Sequence, residues 1–267
     1  MQTMKELRNK IVWITGASSG IGEALAHAFA AEGAFLVLTA RNREKLEQVR
    51  SDCMPFAAGC LVEPADLSDT ASLGPLVERV IGQTGRIDML VNNAGRSQRS
   101  LAGETPLEID RDIMELNFFS VVALTKLVLP HMISNRSGHI VVTSSITGKF
   151  GSPLRSAYAA SKHALQGFFE SLRPELAGDH IRVTIVSPGF IHTNISVNAV
   201  TRDGTAYQKM DRGQARGMDP SQCAAKIVKA VKKDRRELLV GKMEISMVYI
   251  RHYIPAVYHW LIRKIKN

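Results

Sequence analysis

The chain has 267 residues, 45% of them apolar and 22% charged, a globular composition that excludes a disordered chain and suits one large core. Its formal net charge is +9, with basic runs at Lys229, Lys232, Lys233, Arg235 and Arg236 and at Arg263, Lys264 and Lys266; no nucleic-acid module accompanies them, so nucleic acid is not an expected partner. Cys53, Cys60 and Cys223 lack ligand spacing, which excludes a disulfide framework and a zinc site and fits a reducing compartment.

Short β-branched runs alternate with segments of helical period, the pattern of βαβ units around a parallel sheet. The opening MQTMKELRNKIVWITG leads almost directly into a strand, with no room for a secretory segment or spanning helix, so a soluble, cytoplasmic body is expected. Strands are predicted at residues 10–15, 35–40, 60–65, 88–93, 139–144, 182–187 and 237–241. They specify an α/β fold: a doubly wound, seven-stranded parallel sheet in a single domain, residues 1–243, followed by a C-terminal amphipathic extension, residues 244–267. GEALAHAFAAEG reads as a helix ended by Gly33, and residues 107–132 as one long amphipathic helix. Residues 191–218, polar and glycine-bearing, read as a flexible loop over the substrate, and the segment after Asp219-Pro220 as a capped helix.

The first strand runs into TGASSGIGEALA, where Gly16, Gly20 and Gly22 open a helix. Backbone without side chains approaches a pyrophosphate closely, and the helix N-terminus presents unpaired N–H groups and positive dipole to it. In this strand–turn–helix context the spacing predicts a Rossmann-type dinucleotide site formed by Gly16, Ser18, Ser19, Gly20, Ile21 and Gly22. No Lys follows the last glycine, so a phosphoryl-transfer loop is excluded. The second strand ends in Ala40-Arg41-Asn42-Arg43 without an acid. A guanidinium there suits a ribose 2′-phosphate and favours NADP(H) over NAD; the alternative is that Arg41 and Arg43 are solvated charges at a helix start. Asp66 and Leu67 follow the third strand toward an adenine edge, and Asn92, Ala94 and Gly95 pass the adenosine half.

Tyrosine, with an ordinary pKa of about 10, needs a nearby cation to act as acid or base at neutral pH. Lys162 stands at i+4 from Tyr158 on one helix face, although that pair alone reads as an exposed helix contact. Ser145, just past the fifth strand with Ser144 as the competing choice, stands where open α/β sheets hold ligands and where a hydroxyl can meet a substrate carbonyl.

TGASSGIG (15–22), NNAG (92–95), Asn117 on the middle helix, Ser145, YAASK (158–162) and PGFIHT (188–193) together resemble the short-chain dehydrogenase/reductase family over residues 10 to about 241. The resemblance implies that Tyr158 is the general acid or base, that Lys162 lowers its pKa and binds the nicotinamide ribose, and that Ser145 orients the carbonyl. It further implies that Asn117 helps hold a water in a proton relay, that Ile191 and Thr193 contact the nicotinamide carboxamide or a phosphate with Pro188 and Gly189 beside them, and that the chain forms a homodimer or homotetramer. Within the family, RSAYAASKHALQGFFESLRPEL and PGFIHTNISVNAV resemble the member seven-B subgroup, whose members often carry an N-terminal hydrophobic anchor that MQTMKELRNK does not match.

Arg202, Lys209, Arg212 and Arg216 in the loop read as solvated charge, with an anionic substrate as the alternative. In the tail, Arg251, His259, Arg263 and Lys266 share one helical stripe beside an apolar flank with Tyr253, Tyr258 and Trp260, though Pro255 interrupts it. Such a segment lies on an anionic membrane surface, packs over its own substrate cavity or meets another subunit. The expected function is NADP(H)-dependent hydride transfer to or from a small-molecule carbonyl or secondary alcohol, a lipid-like or steroid-like ketone if the tail meets membrane. The alternatives are a non-catalytic dinucleotide-binding regulatory protein and a lipid-binding peripheral membrane protein.

Overall fold

The computed structural model describes residues 6–263. Seven parallel strands form one sheet in the order β3-β2-β1-β4-β5-β6-β7. They are β1 (Ile11–Thr15), β2 (Phe35–Thr39), β3 (Gly59–Val62), β4 (Met89–Asn92), β5 (Gly138–Thr143), β6 (Ile181–Pro188) and β7 (Glu237–Val240). Every residue of β1, β4 and β5 is buried, which is why these segments read as unbroken apolar runs: helices cover both faces of the sheet.

One face carries α1 (Gly20–Ala31), α2 (Arg43–Cys53) and α8 (Pro220–Lys232), packed through Leu25, Phe29, Leu46 and Ile227. The other carries α3 (Leu73–Thr84), α5 (Ser120–Ser134) and α6 (Ser156–Glu175), packed through Val77, Leu124, Val128 and Phe169. The chain leaves β1 toward β2 on one side and toward β4 on the other, so a crevice opens at the carboxyl ends of β1 and β4. Gly33 ends α1 as expected: at φ +75° its N–H reaches the Ala30 carbonyl at 2.8 Å. Asp219 caps α8 by accepting from Ser221 N at 2.8 Å, with Pro220 in the first turn.

Three expectations change. The helix expected over 107–132 is α4 (Leu107–Met114), one π turn over Glu115–Phe119 and then α5, and Asn117 sits in the widened turn. Val121, Leu124, Val128 and Met132 place this long apolar stretch in the core. The segment expected as a flexible loop is knitted down: Ile191 bridges to Met218, Gln98 to Val200 and Val200 to Ala206, and it contains the short helix α7 (Arg212–Ala215). The tail is two helices, α9 (Ser246–Tyr253) and α10 (Pro255–Ile262), because Pro255 has no N–H to continue the first and starts the second instead. Arg251 and His259 therefore do not share one continuous helical stripe; Lys264 and Lys266 lie outside the described residues.

Candidate active site

The carboxyl ends of the strands open into one cavity of about 1560 Å³. A drug-sized ligand needs roughly 300–1,000 Å³, so this space suits a dinucleotide with a substrate beside it.

At its β1 end the wall is backbone. Gly16 and Gly20 hold φ of +66° and +61°, and a Cβ on Gly16 would stand 2.9 Å from the Ala94 Cα, so only glycine lets the turn pass this close to the end of β4. Ser19 gives α1 no side-chain cap, which leaves the first N–H groups of a 12-residue helix available to an anion. Gly16, Ser18, Ser19, Gly20 and Ile21 line the cavity, but Gly22 does not. A Cβ on Gly22 would fall 2.1 Å from the Gly16 carbonyl oxygen; this glycine packs the helix against the turn behind the cradle.

Arg41, Asp66 and Leu67 line the same end. Arg43 is drawn along its own helix toward Glu47 at 3.9 Å, whereas no hydrogen bond or ion pair engages Arg41 among the described residues. Burial alone pushes the Asp66 carboxyl up, but hydrogen bonds from Ser68 and the charges of Arg41 and Arg96 hold it below the usual range.

Of the VNNAG residues, Ala94 and Gly95 line the cavity and Asn92 does not. Asn92 turns inward and donates to Thr125 Oγ1 at 3.0 Å, tying β4 to α5. Asn93, which sequence reasoning passed over, lines the cavity and donates its side-chain amide to Thr15 O at 3.2 Å, securing the glycine turn. Strand alternation was the available signal, since adjacent residues face opposite ways.

At the reacting end, Tyr158 and Lys162 occupy one face of α6, with Lys162 3% and Tyr158 8% exposed. Lys162 Nζ donates to the Thr143 carbonyl at 2.9 Å and stands 5.8 Å from the Tyr158 ring centre; burial pulls its pKa down to about 8. Burial pushes the Tyr158 phenol up, and this exceeds the opposing pull of a Ser145 hydrogen bond and of the Arg99 and Arg155 charges. Ser145 is thus the serine that acts on the phenol; its Oγ also accepts from Thr147 N at 3.1 Å and Thr147 Oγ1 at 2.9 Å. Ser144 Oγ is engaged elsewhere, donating to the Lys162 carbonyl and accepting from Gln166 Nε2, both at 3.0 Å.

Asn117 is fully buried and does not reach the cavity. Its Oδ1 accepts from Arg96 N at 2.8 Å, and its Nδ2 donates to Arg96 O at 2.9 Å and Ser161 Oγ at 3.0 Å. With these atoms engaged by protein, the side chain braces the NNAG segment against α6.

Pro188, Gly189, Ile191 and Thr193 line the wall beyond β6. The extension closes it: Glu244 Oε1 accepts from Phe190 N at 2.8 Å, while Tyr258 packs 5.7 Å from Phe150 and donates to the Gly151 carbonyl at 2.8 Å. Met247 and Phe150 reach the cavity, so one face of the tail packs over its own site. Arg202 of the loop pairs outward with Glu104 at 3.0 Å, as solvated charge does.

A nicotinamide dinucleotide fits these residues: the glycine cradle leaves backbone room, the α1 N-terminus lacks a side-chain cap, and Thr143 Oγ1, beside Lys162, is a buried polar atom without a partner among the described residues.

The sequence pattern of the short chain dehydrogenases matches residues 10–204, and the chain belongs to that family of oxidoreductases. It is 46% identical over 273 residues to an Anopheles gambiae protein named dehydrogenase/reductase SDR family protein 7-like, covering 98% of this chain and 86% of the relative. It is 43% identical over 257 residues to the Mus musculus dehydrogenase/reductase SDR family member 7B, covering 94% and 80%. Among solved structures, a short-chain dehydrogenase from Streptomyces avermitilis superposes with a TM-score of 0.79 at 30% identity, over 95% of this chain and 96% of the other. A metagenomic short-chain oxidoreductase in complex with NADP gives 0.73 at 29% over 88% and 98%. A Burkholderia phymatum enzyme in complex with NAD, at 23% identity over 94% and 96%, shares the fold with a TM-score of 0.83.

Proposed function

We propose that the chain uses NADP(H) to interconvert a carbonyl and a secondary alcohol on an apolar, lipid-like or steroid-like molecule. The observation that carries this reading is the wall shared by Ser145, Tyr158 and Lys162 in a cavity that begins at the glycine turn. The bound nicotinamide supplies or accepts the hydride. In reduction, Ser145 donates a hydrogen bond to the carbonyl oxygen and Tyr158 passes its phenolic proton to that oxygen; in oxidation the phenolate takes the proton back. Lys162, buried and cationic at neutral pH, favours the phenolate.

The preference for NADP(H) rests on Arg41, an exposed guanidinium that makes no hydrogen bond or ion pair among the described residues, at a strand end that bears no acid. Phe150, Phe190, Ile195 and Met247 on the cavity wall support an apolar substrate. A screen of ketones and secondary alcohols with both cofactors tests the reading, with turnover expected in NADPH. Arg41→Asp is expected to weaken NADPH about tenfold relative to NADH. No turnover of any carbonyl removes the catalytic reading, and an unchanged preference removes the cofactor assignment.

A second reading concerns place. The outward face of α9 and α10 exposes Tyr249, Tyr253, Ile254 and Val257 beside Arg251 and Arg263, which supports contact with an anionic membrane surface. Full-length protein is expected to sediment with phosphatidylserine vesicles and to lose this with Tyr253→Ser and Val257→Ser together; equal sedimentation of that variant removes the reading.

A further inference from the structure

We propose that a buried Arg99–Asp211–Arg155 bridge makes the segment 191–218 part of the proton-transfer apparatus, the two guanidiniums facing Tyr158 as fixed positive charge and the carboxylate holding them there. This rests on Tyr158 being the proton-transfer group.

The bridge joins three distant parts of the chain. Arg99 follows β4, Arg155 is the N-cap of α6 and Asp211 ends the segment before α7. Arg99 donates through Nε to Asp211 Oδ2 at 3.1 Å and through Nη2 to the same oxygen, and its Nη1 donates to Ser97 Oγ at 2.8 Å. Arg155 donates through Nη2 to Asp211 Oδ2 at 2.9 Å and through Nη1 to Ser152 Oγ at 3.0 Å. Both arginines are more than nine-tenths buried, and all three residues line the cavity that contains Tyr158.

Holding the segment down needs only one arginine. The second leaves an uncompensated positive charge in a low-dielectric place, which opposes stability. Its position is unfavourable as well, because an N-cap meets the positive end of the helix dipole. Arg155 performs no capping: Gln98, fully buried, does so instead, its Oε1 accepting from Ala157 N at 2.9 Å and Tyr158 N at 3.5 Å. The N-cap of α6 is thus free to carry a cation three residues before Tyr158, and that is the use a phenol acting as acid and base has for it.

The charged groups around the phenol come from every neighbouring element. Lys162 lies on its own helix, Arg155 at that helix's start, Arg99 beyond β4 and Asp211 on the overlying segment, with Glu244 of the tail in the same cavity wall. Burial alone pushes the Asp211 carboxyl up, but Arg99 and Arg155 hold it below the usual range, so it stays ionised wherever the enzyme is assayed. Arg99 and Arg155 pull the Tyr158 phenol down, after Ser145 and against burial.

The test is a pH profile of kcat/KM in both directions for Arg155→Gln, Arg99→Gln, Arg155→Lys and Asp211→Asn. Each Gln variant is expected to move the phenol-dependent limb to higher pH, so that alcohol oxidation at neutral pH falls about tenfold while ketone reduction is largely kept. Arg155→Lys, which keeps the charge, is expected to restore the limb. Asp211→Asn removes the carboxylate that holds both guanidiniums in place, so the limb is expected to move upward as in the Gln variants. An unmoved limb in folded Gln variants overturns the proposal, as does a downward shift in Asp211→Asn, which would make the carboxylate a counter-charge only. If the Gln variants do not fold, the Lys and Asn variants decide by the same criteria. The phenolate absorbance of cofactor-free protein, taken as the part lost in Tyr158→Phe, reads the same shifts without turnover. A protein that turns over no ketone or alcohol yet shows them loses the proposed function and keeps only the effect of the bridge on the Tyr158 phenol.

Discussion

At the β1 end of the cavity the wall is backbone: Gly16 and Gly20 at positive φ, the uncapped start of α1, and Asn93 tying the turn to β1. At the β6 end the wall is side chain: Asp211 bridging Arg99 and Arg155, Glu244 on Phe190 N, and Tyr258 on Phe150. A pyrophosphate asks for N–H groups and space, which glycine supplies to any dinucleotide. A substrate asks for a particular shape and charge, which long side chains from distant segments supply. One end therefore suits any dinucleotide, and the other selects by shape and charge.

If the two ends act separately, Tyr158→Phe should lower turnover by about 10³-fold while NADPH affinity, measured by fluorescence titration, is retained; loss of cofactor binding in that variant would join the ends. Lys162 should reveal the conflict between function and stability. Its folded pKa of about 8 lies below the ordinary 10.5, so its contribution to stability is full above 10.5 and is lost as pH falls through 8. In the cofactor-free protein, Lys162→Met should therefore raise unfolding stability at neutral pH by on the order of 3 kcal/mol, less the lost bond to Thr143, while turnover disappears. Denaturant titration should find the gain vanishing above pH 10.5.

Gly22→Ala examines the backbone end. The new Cβ would meet the Gly16 carbonyl oxygen, and the forced shift should cost about 1–3 kcal/mol of stability and weaken both cofactors alike. The side-chain end should respond more locally. Tyr258→Phe removes the hydrogen bond to Gly151 and should cost about 1 kcal/mol, raising KM for the carbonyl substrate with no change in cofactor affinity.

The seven strands were legible because each is an apolar run bounded by turn residues, and the glycine turn because its spacing sits between a strand and a helix. The i+4 spacing placed Tyr158 and Lys162 on one face of α6. Finer orientation was not legible. Asn92 and Asn93 are chemically identical, and only the pleat decides which lines the cavity. Ser144 and Ser145 differ likewise, one turned to Gln166 and the other to Tyr158. The segment 191–218 read as flexible because its anchors, Val200 on Gln98 and Asp211 on two arginines, lie far away in sequence.

The sequence by itself determined the sheet, the cradle and the helix that bears Tyr158 and Lys162, because apolar periodicity, glycine's access to positive φ and helical spacing all act within a few residues. Tertiary structure alone decided which serine acts on the phenol, that Asn117 braces rather than lines the site, and that Arg99 and Arg155 meet one carboxylate in the cavity that holds Tyr158. The Asp211 contacts span 112 and 56 residues, and charges that far apart in sequence have no local signature until the fold buries them around one carboxylate.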